Sequence, residues 1–125
     1  MAPYLLIITT PMLETLLCSN NSILVRSLYA ILRDEGYGVD TADHPSLAVQ
    51  MAFKKDYSAL IIDSEPFGLS VEDAIKIIKT IHPAIVVIFV GYDSIETDVL
   101  SIEAPIDLEQ FKTIVHNIGR LHTIH

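Results

Sequence analysis

Short apolar runs rich in β-branched residues alternate with helically spaced apolar stripes, and that alternation restricts the chain to few folds. The clearest unit runs from Gly36 to Asp63, GYGVDTADHPSLAVQMAFKKDYSALIID. Leu60-Ile61-Ile62 is short for a helix and wholly apolar, so it reads as a buried strand that delivers Asp63 to its carboxyl end. Val39 to Ala42 alternates apolar and polar residues, the pattern of a half-exposed edge strand, whereas Ala84 to Val90 has the continuous apolar character of a central parallel strand. Tyr4 to Ile8 reads as the first strand and Val99 to Ile102 as the last. Between them, four sets of residues recur at helical spacing. They are Leu24, Leu28, Ile31 and Leu32, then Leu47, Ala48, Met51 and Ala52, then Ala74, Ile77, Ile78 and Ile81, and finally Leu108, Phe111, Ile114, Val115 and Ile118.

The boundaries carry their own signals. Asn20, Asn21 and Ser22 offer cap side chains for the first of these helices, and Gly36 suits the left-handed turn that ends it. Pro45 fits the first turn of the second helix. Ser70-Val71-Glu72-Asp73 resembles a capping box, Pro83 marks the end of the third helix, and Asp107 caps the fourth. Pro11 to Asn21 is harder to place. Met12, Leu13, Leu16 and Leu17 share a face at helical spacing, which predicts an extra helical turn packed on the core, with a partner-binding surface as the alternative. The interval from Gly91 to Val99 is too short for a substantial helix. Strand–helix alternation implies a parallel sheet with helices on both faces.

Composition bounds the function. The 125 residues suit one domain over 1–125, half of them are hydrophobic, and the formal charge is −8. A nucleic-acid surface needs clustered Lys and Arg, so no direct nucleic-acid contact is expected. No run approaches the ~18 apolar residues of a membrane span, and no signal peptide is visible, so a cytoplasmic chain is the expectation. Cys18 is the only cysteine, which excludes an intrachain disulfide; its Cys-Ser-Asn-Asn setting supplies no base to make it a nucleophile. His116, His122 and His125 gather near the C-terminus without acidic or cysteine partners, and read as a solvated helix end. There is no phosphate loop, nucleophile elbow or internal repeat. Lys54-Lys55-Asp56 reads as a solvated turn.

Taken in order, these segments resemble the receiver domains of two-component response regulators. Leu28, Leu32, Gly36-Tyr37, Val39 and Thr41-Ala42 look like that family's first helix and second strand. The spacing from Ala42 puts Asp63 on the phosphoacceptor. Gly91 to Thr97 is similar to the turn after strand four in receivers attached to sigma-54-type activators, and Ala104-Pro105-Ile106-Asp107-Leu108 looks like the ending usually written Lys-Pro-Phe-Asp-Leu. The resemblance implies a flavodoxin-like doubly wound α/β fold, a five-stranded parallel sheet of order 2-1-3-4-5. Here the helix between strands four and five would be shortened or absent.

The resemblance also implies a job: accept a phosphoryl group on aspartate, change shape and alter contacts with a partner or output domain. Phosphoryl transfer rests on positioning and charge neutralisation, usually with Mg²⁺ held by carboxylates. The family's acidic pair at the end of strand one matches Thr9 and Thr10 on this reading. Its lysine matches Ala104, its strand-four hydroxyl Val90, and its readout aromatic Ser101. Pro105 stands where the family usually has a cis peptide. These departures remove the metal site, the cation, the hydrogen bond and the readout together. The expectation is a pseudo-receiver, not an enzyme, with no cofactor, that signals by contact with a protein partner, a fused output domain or a second copy. Two alternatives remain: a phosphorylatable receiver in which Glu14 or Asp40 helps ligate Mg²⁺, and a sensor that takes an apolar small molecule in the strand-end crevice.

Overall fold

The computed structural model describes residues 13–63, 70–91, 99–103 and 106–118. A single parallel sheet organises them, in the order β2-β1-β3-β4-β5. The strands are β1 (Glu14–Cys18), β2 (Gly38–Ala42), β3 (Ala59–Asp63), β4 (Val86–Gly91) and β5 (Leu100–Glu103). The helices are α1 (Ser22–Asp34), α2 (Pro45–Lys54), α3 (Val71–Ile81) and α4 (Leu108–His116). This is the flavodoxin-like doubly wound α/β fold, whose strand order reverses between β1 and β3.

Strand alternation divides the apolar side chains into two cores. Leu16, Cys18, Leu60, Ile62, Val87 and Phe89 face α2 and α3, where Ala48, Ala52, Ala74, Ile75 and Ile78 close over them. On the other face Leu17, Ala59, Ile61, Ile88 and Val90 meet Leu28, Ile31 and Leu32 of α1 and Phe111 and Val115 of α4. Burial on both faces explains why β3 and β4 are apolar from end to end.

The first strand is not where sequence patterning put it. Glu14–Cys18 pairs with β2 on one side and β3 on the other, so the segment predicted as an extra helical turn is the central strand. Leu16, Leu17 and Cys18 are fully or almost fully buried, which also removes this stretch as a docking surface. Apolar residues at helical spacing over six positions are equally a short strand covered on both faces, and here sheet pairing decides. Tyr4 to Ile8 and Met12 lie outside the described residues. So do 92–98, on which the shortened fourth-helix expectation falls; β4 and β5 are parallel neighbours joined by only the eight residues 92–99.

Helix ends follow the predicted caps. Asn21 Oδ1 accepts the N–H groups of Ile23 and Leu24, each at 3.1 Å. Ser70 Oγ accepts the Asp73 N–H, and Asp107 Oδ1 those of Glu109 and Gln110. His44 caps α2 through Nδ1, which accepts the Leu47 N–H. Gly36 takes φ +88° after α1. Its N–H donates to the Arg33 carbonyl while the Tyr37 N–H reaches back to Leu32, the paired bonds of a Schellman turn.

Candidate functional site at the carboxyl end of the sheet

The carboxyl ends of β1, β3 and β4 meet at Asp63. Register aligns Cys18 with Ile62 and Asp63 with Val90. The end of the first strand therefore offers Cys18 and Ser19 to Asp63, not Thr9 and Thr10, which lie outside the described residues. A βα connection normally takes ~2–6 residues. A strand ending at Ile8 would have left thirteen before α1 at Ser22, and that excess is the signal sequence reading passed over.

Ser19 is 7% exposed and its Oγ donates to Asp63 Oδ2 at 2.6 Å. Ser19 Oγ also accepts the Asn21 N–H at 3.0 Å, and the Ser19 N–H donates to the Ala42 carbonyl at 2.9 Å. Asn21 in turn caps α1. A chain of hydrogen bonds thus runs from the α1 N-terminus through Ser19 to the half-buried Asp63 carboxylate. Sequence analysis did not single out Ser19. A hydroxyl directly after an apolar run and two residues before a cap was the available clue.

Cys18 faces the other way, into the α2–α3 core. Burial pushes its thiol up to about 12, with the negative charges of Asp63 and Asp43 adding to the effect. It is a protonated packing residue and has none of the low-pKa character of a nucleophile.

The other predicted positions are placed as follows. Val90 lies beside Asp63 and is 4% exposed, so its side chain belongs to the core and offers no hydroxyl. Ser101 is exposed on β5, opposite Phe89. Ala104 and Pro105 lie outside the described residues, as do His122 and His125. His116 Nδ1 is 3.1 Å from Glu35 Oε1, a surface contact between α4 and the end of α1.

Glu14 and Asp40 do not reach this site. Glu14 begins β1, four residues and ~13 Å before its carboxyl end. Residues 14, 16 and 18 share one face of the sheet with 38, 40 and 42, whereas Asp63 alternates to the opposite face. Both carboxylates close on Lys55 instead: Nζ lies 3.1 Å from Glu14 Oε1 and 2.9 Å from Asp40 Oδ2. The Tyr57 hydroxyl donates to the same Asp40 oxygen at 2.7 Å. Lys55 is therefore no idle member of a solvated turn. Its hydrogen bond, followed by that of Tyr57, holds the Asp40 carboxyl below its usual range.

These positions give a direct test for Mg²⁺. The ion favours an octahedron of oxygens, normally with more than one carboxylate. Asp63 supplies one carboxylate, with one oxygen engaged by Ser19; Cys18 presents a protonated sulfur and Val90 a hydrocarbon. Among the described residues no group of three His, Cys, Asp or Glu side chains is placed to hold a metal ion. The described residues at this strand end do not fit Mg²⁺.

No protein-family model matches the sequence, and no curated protein matches it. Solved structures do match. The signal receiver domain of an HD domain-containing protein from Pseudomonas fluorescens Pf-5 superposes with a TM-score of 0.82 at 14% identity, over 92% of this chain and 100% of that one. A CheY-like response regulator receiver domain protein from Methanospirillum hungatei JF-1 gives 0.79 at 16% identity, over 92% and 100%. A response regulator receiver protein from Sinorhizobium medicae WSM419 gives 0.80 at 17% identity, over 92% and 98%. Similarity at these identities is a similarity of fold.

Proposed function

We propose that this chain, which has the fold of response-regulator receiver domains, is a single atypical receiver module that signals by protein contact without conventional phosphorylation of Asp63. One observation carries the reading: the Ser19 hydroxyl occupies Asp63 Oδ2 at 2.6 Å, where a metal-dependent phosphoacceptor would need a second carboxylate. The buried valine beside Asp63 supports it, because a valine cannot hydrogen-bond a phosphoryl oxygen. On this reading the chain is not an enzyme and needs no cofactor. Its partner is another protein, a fused output domain or a second copy. The acidic charge of −8 favours protein over nucleic acid as that partner. Among the described residues no helix is long and apolar enough to cross a membrane, in keeping with a place in the cytoplasm.

Backbone NMR titration with Mg²⁺, alone and with beryllofluoride as a phosphoryl mimic, tests this. The expected result is a well-dispersed spectrum in which Ser19, Asp43, Asp63 and Val90 do not respond. Saturable shifts at Ser19, Asp43 and Asp63 would overturn the reading and establish a phosphoacceptor with unusual ligation. Asp43 is named because its charge already reaches Cys18, beside Asp63.

A further inference from the structure

A cavity of about 510 Å³ opens between α1 and the end of edge strand β2, and it adjoins the Asp63 site through Ser19, which lines it together with Asn20. That volume lies within the ~300–1,000 Å³ typical of small-molecule sites. One wall is a single face of α1, since Ser22, Val25, Arg26 and Tyr29 fall three and four residues apart. The β2 side of the lining is Thr41, Ala42 and Asp43.

The chemistry of the lining is specific. Arg26 is exposed, and among the described residues it has no ion-pair partner. Its planar fork of N–H groups matches a carboxylate through two parallel hydrogen bonds. One turn further along, the Tyr29 ring is 41% exposed and Val25 adds aliphatic surface, so the body that follows the carboxylate meets apolar walls. Ser22 and Thr41 add hydroxyls. Asp43 adds a negative charge, and the chain carries −8 overall, which repels ligands with several negative charges. Among the described residues Arg26 is the one cation and Asp43 the one carboxylate in the lining. A small flat body with a single negative charge is therefore drawn to Arg26 and meets less repulsion from Asp43 than one with several.

We propose that the α1–β2 cavity binds a small aromatic or similarly flat monocarboxylate, with the carboxylate on Arg26 and the ring against Tyr29 and Val25. The site goes beyond the protein-contact reading and does not depend on it, because it makes no use of Asp63 as a phosphoacceptor. It also differs from an apolar ligand site in the strand-end crevice, since an ion pair anchors the ligand.

The experiment uses the full chain, labelled with ¹⁵N and titrated with sodium benzoate, then with benzamide as the neutral isostere. Benzoate is expected to give saturable shifts at the amides of Ser22, Arg26, Tyr29 and Thr41. Benzamide should bind about tenfold more weakly, as should benzoate to Arg26→Met, because each loses a charge-assisted pair. Arg33→Met, at the exposed far end of α1 and away from the cavity, should bind benzoate like the parent. Both arginines are exposed, so both variants keep the core. Absence of saturable shifts, equal affinity for benzoate and benzamide, or equal effects of the two substitutions would each overturn the proposal.

Discussion

Cys18 shows how far a single side chain's surroundings decide its chemistry. It sits at the end of a strand beside a carboxylate, a position where a thiolate could act, yet burial and two negative neighbours keep it protonated up to about 12. The folded chain should therefore be inert to a thiol reagent such as DTNB near pH 8, where an ordinary exposed cysteine reacts readily, and should react fully once denatured. Rapid labelling of the native protein would contradict this account of the strand end. Gly38 illustrates a different constraint. It has no unusual dihedral angle, but a Cβ there would lie 2.6 Å from Glu14 Oε1. The glycine gives the carboxylate room to turn toward Lys55.

At the scale of elements, α1 depends on its two ends. Its N-terminus is held by Asn21 and its C-terminus by the left-handed Gly36. Asn21→Ala should cost ~1 kcal/mol through loss of the cap, and Gly36→Ala ~1–2 kcal/mol through left-handed strain, both read from urea unfolding midpoints. A stability within ~0.3 kcal/mol of the parent in either variant would mean that the corresponding end is not held as described. These ends were legible in the sequence because capping is local chemistry: a side chain two or three residues from an amide. The strands β2, β3 and β4 were legible for a similar reason, their apolar patterns being bounded by clear turn residues. β1 was not. Its five residues carry a pattern that fits helix and buried strand alike, and the choice is made by Gly38–Ala42 and Ala59–Asp63, which hold it from both sides. The misplaced strand carried the candidate site with it. Asp63 was located at its strand end because that strand was placed correctly, while Ser19 was overlooked because its own strand was not.

Across the whole molecule, the network of Glu14, Asp40, Lys55 and Tyr57 joins β1 and β2 to the segment between α2 and β3. Its pH dependence has a definite sign. Asp40 titrates below its ordinary value when folded, so its contribution is fully present above the unfolded value of ~3.9 and is lost as pH falls through the lower folded value. Melting temperatures followed from neutral pH down to ~3 should show an acid-dependent loss in the parent that is smaller in Lys55→Met; parallel curves would exclude the network as its source. A longer reach belongs to Tyr37, whose hydroxyl donates to the Val115 carbonyl at 2.6 Å, 78 residues away in sequence. With Phe111, Val115 and Ile118 wholly buried on the same side, α4 and the residues just after it shut an apolar face whose other parts, Ile102 and Ile106 among them, precede it in the chain. Ribosomes make chains from the N-terminus at ~5–20 residues per second, so that face stays open until the residues of α4 have been made. The turns of α4 act as a stopper, and a message broken shortly before them would release a chain with its sheet half dressed and prone to clump with its siblings.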